Sequence, residues 1–274
     1  MLDGFMNDSL YKLSVRELRA RAQSTAPEAG RNPFLGLTIR FVSIYITKYV
    51  LLRTAVTPNW VTVISVLVFF TGISLYFFDS LPLQLLGSFL IWFSVVLDGC
   101  DGEMARLRGN ASGVGSLYTE PVSHDIMYAL MFFPIALNLY FNDFPSWILI
   151  IGWIASTGKL LQRIMLTRFD KVLEAKSAGH AHSDDEGDPV TGFNPNVSLL
   201  HKLYRFINRN FFSSVGLVIP LTLSALMGHL EYFLYVFALF FTTIPLLHFY
   251  RQTRAITVFS QKKIVQDKKE ILTK

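Results

Sequence analysis

The chain has 274 residues and a formal net charge of +5; 51% of its residues are hydrophobic, only 16% are charged, and the mean hydropathy is +0.39. Soluble domains carry roughly 25% charged residues, so the composition excludes an ordinary soluble domain and predicts an all-α, polytopic membrane protein in contact with a lipid bilayer. The basic balance comes with no nucleic-acid-binding pattern and fits loops beside anionic lipid, and the single cysteine, Cys100, excludes an internal disulfide.

Residues 1–33 are polar and charged, with no signal-peptide apolar core. Within them Ser14-Val-Arg-Glu17 has the spacing of a capping box and predicts a short helix. Residues 34–56 mix apolar groups with Arg40, Lys48 and Arg53, which predicts an amphipathic helix lying in the membrane interface. Thr57-Pro58-Asn59 then suits a helix start, with Thr57 as cap and Pro58 in the first turn. Residues 57–250 divide into six transmembrane helices near 59–78, 81–101, 115–140, 145–168, 211–228 and 232–250. Lys159 and Arg163 interrupt the fourth; Pro220 and Pro245 lie inside the last two and predict kinks. Residues 251–274 form a basic tail.

The charges test this division. The loops at 79–83, 140–146 and 228–232 hold no Lys or Arg, whereas the N-terminus, the Arg106–Arg108 loop, the 168–209 segment and the tail are basic. Alternation of bare and basic loops places both termini in the cytoplasm, and with them the far end of the second span. The expected location is the cell membrane of a prokaryote. His180-Ala-His182-Ser-Asp-Asp185-Glu186 could bind a metal, but its Gly, Ser and charge content reads as a solvated loop.

That far end carries the chemistry. After the apolar run Phe89–Leu97 come Asp98, Asp101, Gly102, Ala105 and Arg106. Carboxylates at membrane depth are costly and mark functional sites. Residues i and i+3 share a helix face, so Asp98 and Asp101 can converge on one ion, and oxygen ligands favour Mg²⁺ or Mn²⁺. Gly102 and Ala105 let a bulky planar group approach the backbone, and Arg106 offers a fork for phosphate. Lys159 and Arg163, one helical turn apart, are candidates for binding the phosphate of an acceptor or lipid.

The pattern resembles the CDP-alcohol phosphotransferase (CDP-alcohol phosphatidyltransferase) family, whose motif begins Asp-x2-Asp-Gly-x2-Ala-Arg; every fixed position matches here. The six-span layout and the Thr57-Pro58-Asn59 start also resemble the family. The motif's second half, Gly-x3-Asp-x3-Asp, is altered: strict spacing leads from Gly115 to Thr119 and Ser123, whereas a loop one residue longer gives Ser116, Glu120 and His124. The second register is preferred because it keeps two reactive groups on one helical face, and an extra loop residue costs little. Asp125, the rival base, points about 100° away from His124.

The resemblance implies an enzyme that moves a phosphoalcohol unit, with a phosphatidyl group from CDP-diacylglycerol as the leading case, from a CDP-alcohol donor to a small alcohol acceptor, releasing CMP in phospholipid biosynthesis. It implies that Asp98, Asp101 and Glu120 hold Mg²⁺ or Mn²⁺, that Asp98, Asp101, Gly102, Ala105 and Arg106 bind the CDP unit, and that His124 takes the acceptor's proton. Family members are often homodimers. Alternatives are the same chemistry with a polar product such as an inositol-phosphate diester, and an inactive member. An intramembrane prenyltransferase would need a second Asp-rich motif, whereas residues 200–274 contain Asp267 alone.

Overall fold

In the computed structural model, the described residues are 10–23, 34–109, 114–178, 206–207, 211–212 and 216–272; the side chains of 34–37, 114–117, Glu120, 170–178, Ala255 and 258–272 are not described. Every regular element among the described residues is helical: α1 (Val15–Ala22), α2 (Phe34–Tyr49), α3 (Pro58–Ser74), α4 (Leu81–Leu107), α5 (Val114–Leu130), α6 (Phe133–Phe141), α7 (Trp147–Ala178), α8 (Val218–Leu226) and α9 (Leu230–Leu272). Among the described residues, five apolar helical stretches are long enough to cross a bilayer: Pro58–Phe77, Leu81–Leu107, Pro121–Phe141, Trp147–Phe169 and Leu230–Arg254. Among the described residues of the sixth expected span, the apolar helix is the shorter Val218–Met227. At 1.5 Å per residue this covers about 15 Å, half of a hydrocarbon core of about 30 Å.

The N-terminal capping box forms. The Ser14 amide donates to Glu17 Oε2 at 2.7 Å, and the Glu17 amide donates to Ser14 Oγ at 3.2 Å. Leu10, Leu18 and Ala22 then pack with Ile44 and Leu52. Helix α2 is two-faced: Ser43, Ile44 and Thr47 are buried, while Phe41, Tyr45 and Tyr49 are exposed. It stops at Tyr49, short of residue 56, and a 3₁₀ turn, Leu51–Arg53, follows. Thr57 occupies the cap position of α3, but its side chain makes no capping bond; its carbonyl instead accepts from Trp60 and Val61.

Small residues set the spacing of the bundle, as in membranes where apolar burial alone does not draw helices together. A Cβ on Gly72 of α3 would meet the Gly87 carbonyl at 2.9 Å, and one on Gly87 of α4 would meet the Gly72 carbonyl at 2.6 Å. Residues 115–140 are not one helix: α5 ends at Leu130 and Pro134 lies in the first turn of α6. Helix α7 runs unbroken through Lys159 and Arg163. Pro220 does not kink α8, because it sits in the first turn, where an amide is not needed. Pro245 does lie inside α9. It has no N–H for the Phe241 carbonyl, and there α7 comes in closely: a Cβ on Gly158 would stand 2.4 Å from that oxygen. Phe132, Phe233, Phe237 and Phe241 pack with tilted and edge-on rings in the core behind this crossing.

Candidate active site

The two motif carboxylates lie near the end of α4, against α3 and α5. Asp101 is buried, and the buried Thr62 hydroxyl of α3 donates to its Oδ2 at 2.5 Å. Asp98 is partly exposed; its Oδ1 lies 3.2 Å from His124 Nε2 of α5. One turn further along α5, the Tyr128 hydroxyl lies 3.5 Å from His124 Nδ1. The neighbouring Asp125 turns elsewhere and accepts from Arg163 Nε of α7 at 2.8 Å. The Ser123 hydroxyl donates to the Thr119 carbonyl of its own helix at 2.5 Å. The structure thus sets His124, and neither Asp125 nor Ser123, against Asp98.

Glu120 lies on α5 one turn before His124, and its side chain is outside the described residues. Residues 180–186 are outside them as well. Among the described residues no group of three or more His, Cys, Asp or Glu is gathered to hold a metal ion. Mg²⁺ commonly takes only one or two protein carboxylates and completes its shell with water and substrate phosphate oxygens. The hard oxygen donors of Asp98 and Asp101, one turn apart, fit that requirement.

Arg106 folds back over its own helix. A Cβ on Gly102 would lie 3.2 Å from Arg106 Nη1 and 3.4 Å from Nη2, so the guanidinium fills the space that the glycine leaves. In place of the planar ligand expected at this gap, a planar group of the protein lies over Gly102. Arg106 Nε donates to the Ala22 carbonyl at 2.5 Å, and Arg108 Nη1 donates to the Val56 carbonyl at 2.8 Å. Ala105 is half-buried one turn from Asp101.

Lys159 and Arg163 face inward. The Lys159 ammonium donates to the Phe212 carbonyl at 3.0 Å and lies over the rings of Tyr128 and Phe241, 5.0 and 4.8 Å from their centroids. The Arg163 guanidinium lies 5.5 Å from the Tyr128 centroid. A desolvated cation over an aromatic face is stabilised by the ring quadrupole. Tyr128 therefore joins His124 to both cations.

Three participants have no signature in the sequence. Thr62 is one threonine of a span; only its place one turn after Pro58 marks it. Tyr128 could have been found as the residue at i+4 from His124. Glu103 reads as a variable position of the motif, yet it is buried and accepts from Gln23 Nε2 (2.7 Å), Ser43 Oγ (2.5 Å) and Thr47 Oγ1 (2.7 Å). Two residues past Asp101, it points about 200° round α4 toward the N-terminal helices.

A polytopic helical bundle with two carboxylates, an imidazole and a guanidinium brought near one helix end fits the class of membrane proteins that handle phosphates. The model of the CDP-alcohol phosphatidyltransferase family matches residues 55–260. The chain belongs to that family, whose members transfer a phosphoalcohol group from a CDP-alcohol to an acceptor alcohol in lipid synthesis. Comparison with curated proteins finds no match.

Proposed function

We propose that this protein is a Mg²⁺- or Mn²⁺-dependent phosphatidyltransferase. It uses CDP-diacylglycerol as donor and a small alcohol as acceptor, and it works at the cytoplasmic face of the cell membrane. The observation that carries the reading is the approach of His124 Nε2 on α5 to Asp98 Oδ1 on α4, at 3.2 Å and one helical turn from Asp101. The alternation of bare and basic loops supports the cytoplasmic assignment.

Asp98 and Asp101 would hold the metal, with Glu120 as third carboxylate on the adjoining helix. When bound, the metal supplies neutralisation of the diphosphate charge as the bond to CMP breaks. Thr62 fixes the Asp101 carboxylate through its hydroxyl. Ala105 and the Arg106 guanidinium, which packs over Gly102, would present one helical surface to the CDP unit, with Arg106 held by the Ala22 carbonyl. His124 receives the proton of the acceptor hydroxyl at its imidazole. Asp98 beside Nε2 orients the ring and compensates the charge it gains, as a carboxylate does for histidine in other acyl- and phosphoryl-transfer sites. Lys159 and Arg163 lie behind Tyr128, where a phosphate on the acceptor or lipid would meet positive potential.

The test is CMP release by purified protein with Mg²⁺ or Mn²⁺, CDP-diacylglycerol and a panel of acceptors: glycerol phosphate, inositol phosphate, serine, choline and ethanolamine. Metal-dependent release that needs one acceptor and vanishes in Asp101→Asn is expected. Release with a CDP-alcohol other than CDP-diacylglycerol alone would replace the phosphatidyl donor by a polar one. No release with any pairing, from folded protein, would refute the catalytic reading.

A further inference from the structure

A buried carboxylate is costly unless donors surround it. Glu103 has three, and among the described residues all are neutral and all come from the N-terminal segment: Gln23 at the C-terminal end of α1, and Ser43 and Thr47 on α2. None comes from the spanning bundle. Gln23 also donates through Nε2 to the Arg40 carbonyl at 2.7 Å, so one amide ties α1, α2 and α4 together. Immediately before Gln23, the Ala22 carbonyl takes Arg106 Nε. This carbonyl belongs to the last turn of α1, the negative end of the helix dipole, which favours a guanidinium. Arg106 lies on the Gly102 face of α4. The contacts to Glu103 and to Arg106 thus come from adjacent residues, Gln23 and Ala22, at one end of α1.

We propose that Gln23 is a positioning residue for the donor site: by bonding Glu103 it holds the end of α1 where the Ala22 carbonyl orients Arg106 toward the CDP unit. The inference rests on the CDP-alcohol reading of the site. It assigns to the segment before the family-matched region, which begins at residue 55, a part in donor binding.

The full-length protein in detergent is titrated with CDP in the presence of Mg²⁺, for wild type, Gln23→Met and the swapped pair Gln23→Glu with Glu103→Gln. Methionine keeps the volume and removes the donor. Gln23→Met is expected to weaken CDP binding by about tenfold, on the scale of one hydrogen bond to a charged group, and to raise the donor KM while kcat is retained. The swapped pair keeps an amide facing a carboxylate but leaves the Arg40 carbonyl without its donor, and is expected to recover part of the affinity. Thermal unfolding is followed in parallel. Unchanged CDP affinity in Gln23→Met, at any thermal midpoint, overturns the positioning role. So does a swap that restores the midpoint but not the affinity. No binding of CDP by wild type would overturn the donor reading along with it, whereas binding by wild type that Gln23→Met equals overturns this inference alone.

Discussion

Replacing Thr62 by valine removes one hydroxyl from the centre of the site and nothing else of comparable size. Thr62 and Asp101 are both buried, 5% and 7% exposed, and the hydroxyl-to-carboxylate distance is 2.5 Å. Water therefore has little room to replace the lost donor. Hydrogen bonds between neutral side chains in membranes average about 0.6 kcal/mol, but this acceptor is a carboxylate, for which about 1.5–3 kcal/mol is the appropriate range. If Asp101 holds the metal, the loss appears as a metal affinity weaker by about one to two decades. The assay is CMP release titrated with Mg²⁺ at saturating donor. Thr62→Val should shift the titration to higher Mg²⁺ by that factor and recover part of its rate when the metal is raised. Thr62→Ser, which keeps the hydroxyl, should titrate close to wild type. A Thr62→Val enzyme with an unshifted Mg²⁺ dependence would refute the argument that this hydroxyl fixes a metal-binding carboxylate.

His124 and Asp125 are separated by function: His124→Ala should lower kcat by about 10²–10⁴, the usual worth of a positioned acid–base group, while Asp125→Asn, whose partner is Arg163, should keep kcat within about tenfold in the same assay. Gly158→Ala should destabilise the bundle by about 1–3 kcal/mol through overpacking against the Phe241 carbonyl at 2.4 Å, and Gly99→Ala, with nothing nearer than 3.5 Å, should be tolerated; thermal unfolding in detergent compares them. The Ser14 hydroxyl and amide hold the Glu17 carboxyl below its ordinary value of 4.5, so the cap's contribution is complete above that value and is lost as pH falls through the lowered one. Hydrogen-exchange protection of α1 should follow that curve, and Glu17→Gln should remove its pH dependence in this range.

Much of the site was legible because its chemistry is local. Asp98, Asp101, Gly102, Ala105 and Arg106 fall within nine residues of one helix, and helical periodicity alone puts the two aspartates on one side. His124 was a candidate for a related reason: of two registers that each give an i, i+4 pair on α5, the one with Glu120 and His124 offers groups able to do the chemistry, and His124 lies 3.2 Å from Asp98 Oδ1. The five spans followed from apolar length. What escaped was set by tertiary geometry. The expected span 211–228 ends where the chain turns at Gly228, with φ +71° in the left-handed region, but α8 begins only at Val218. Thr62 reaches Asp101 over 39 positions and Gln23 reaches Glu103 over 80, distances at which no periodicity carries information.

Lys159 and Arg163 show where the two kinds of inference meet. Their spacing says only that two cations share one face of α7, and a cation in a span must find compensation inside the protein or at the interface. The structure supplies different solutions to each. Lys159 is buried between two rings and a backbone carbonyl, with no carboxylate paired to it among the described residues. Arg163 is half-exposed and paired with Asp125. An arriving phosphate would thus draw chiefly on the charge of Lys159, because recruiting Arg163 means competing with a carboxylate already 2.8 Å away. Lys159→Met should therefore raise the KM of a phosphorylated acceptor more than Arg163→Met does. If the two variants raise it equally, the burial of Lys159 is an architectural feature and not a reserve of charge for the substrate.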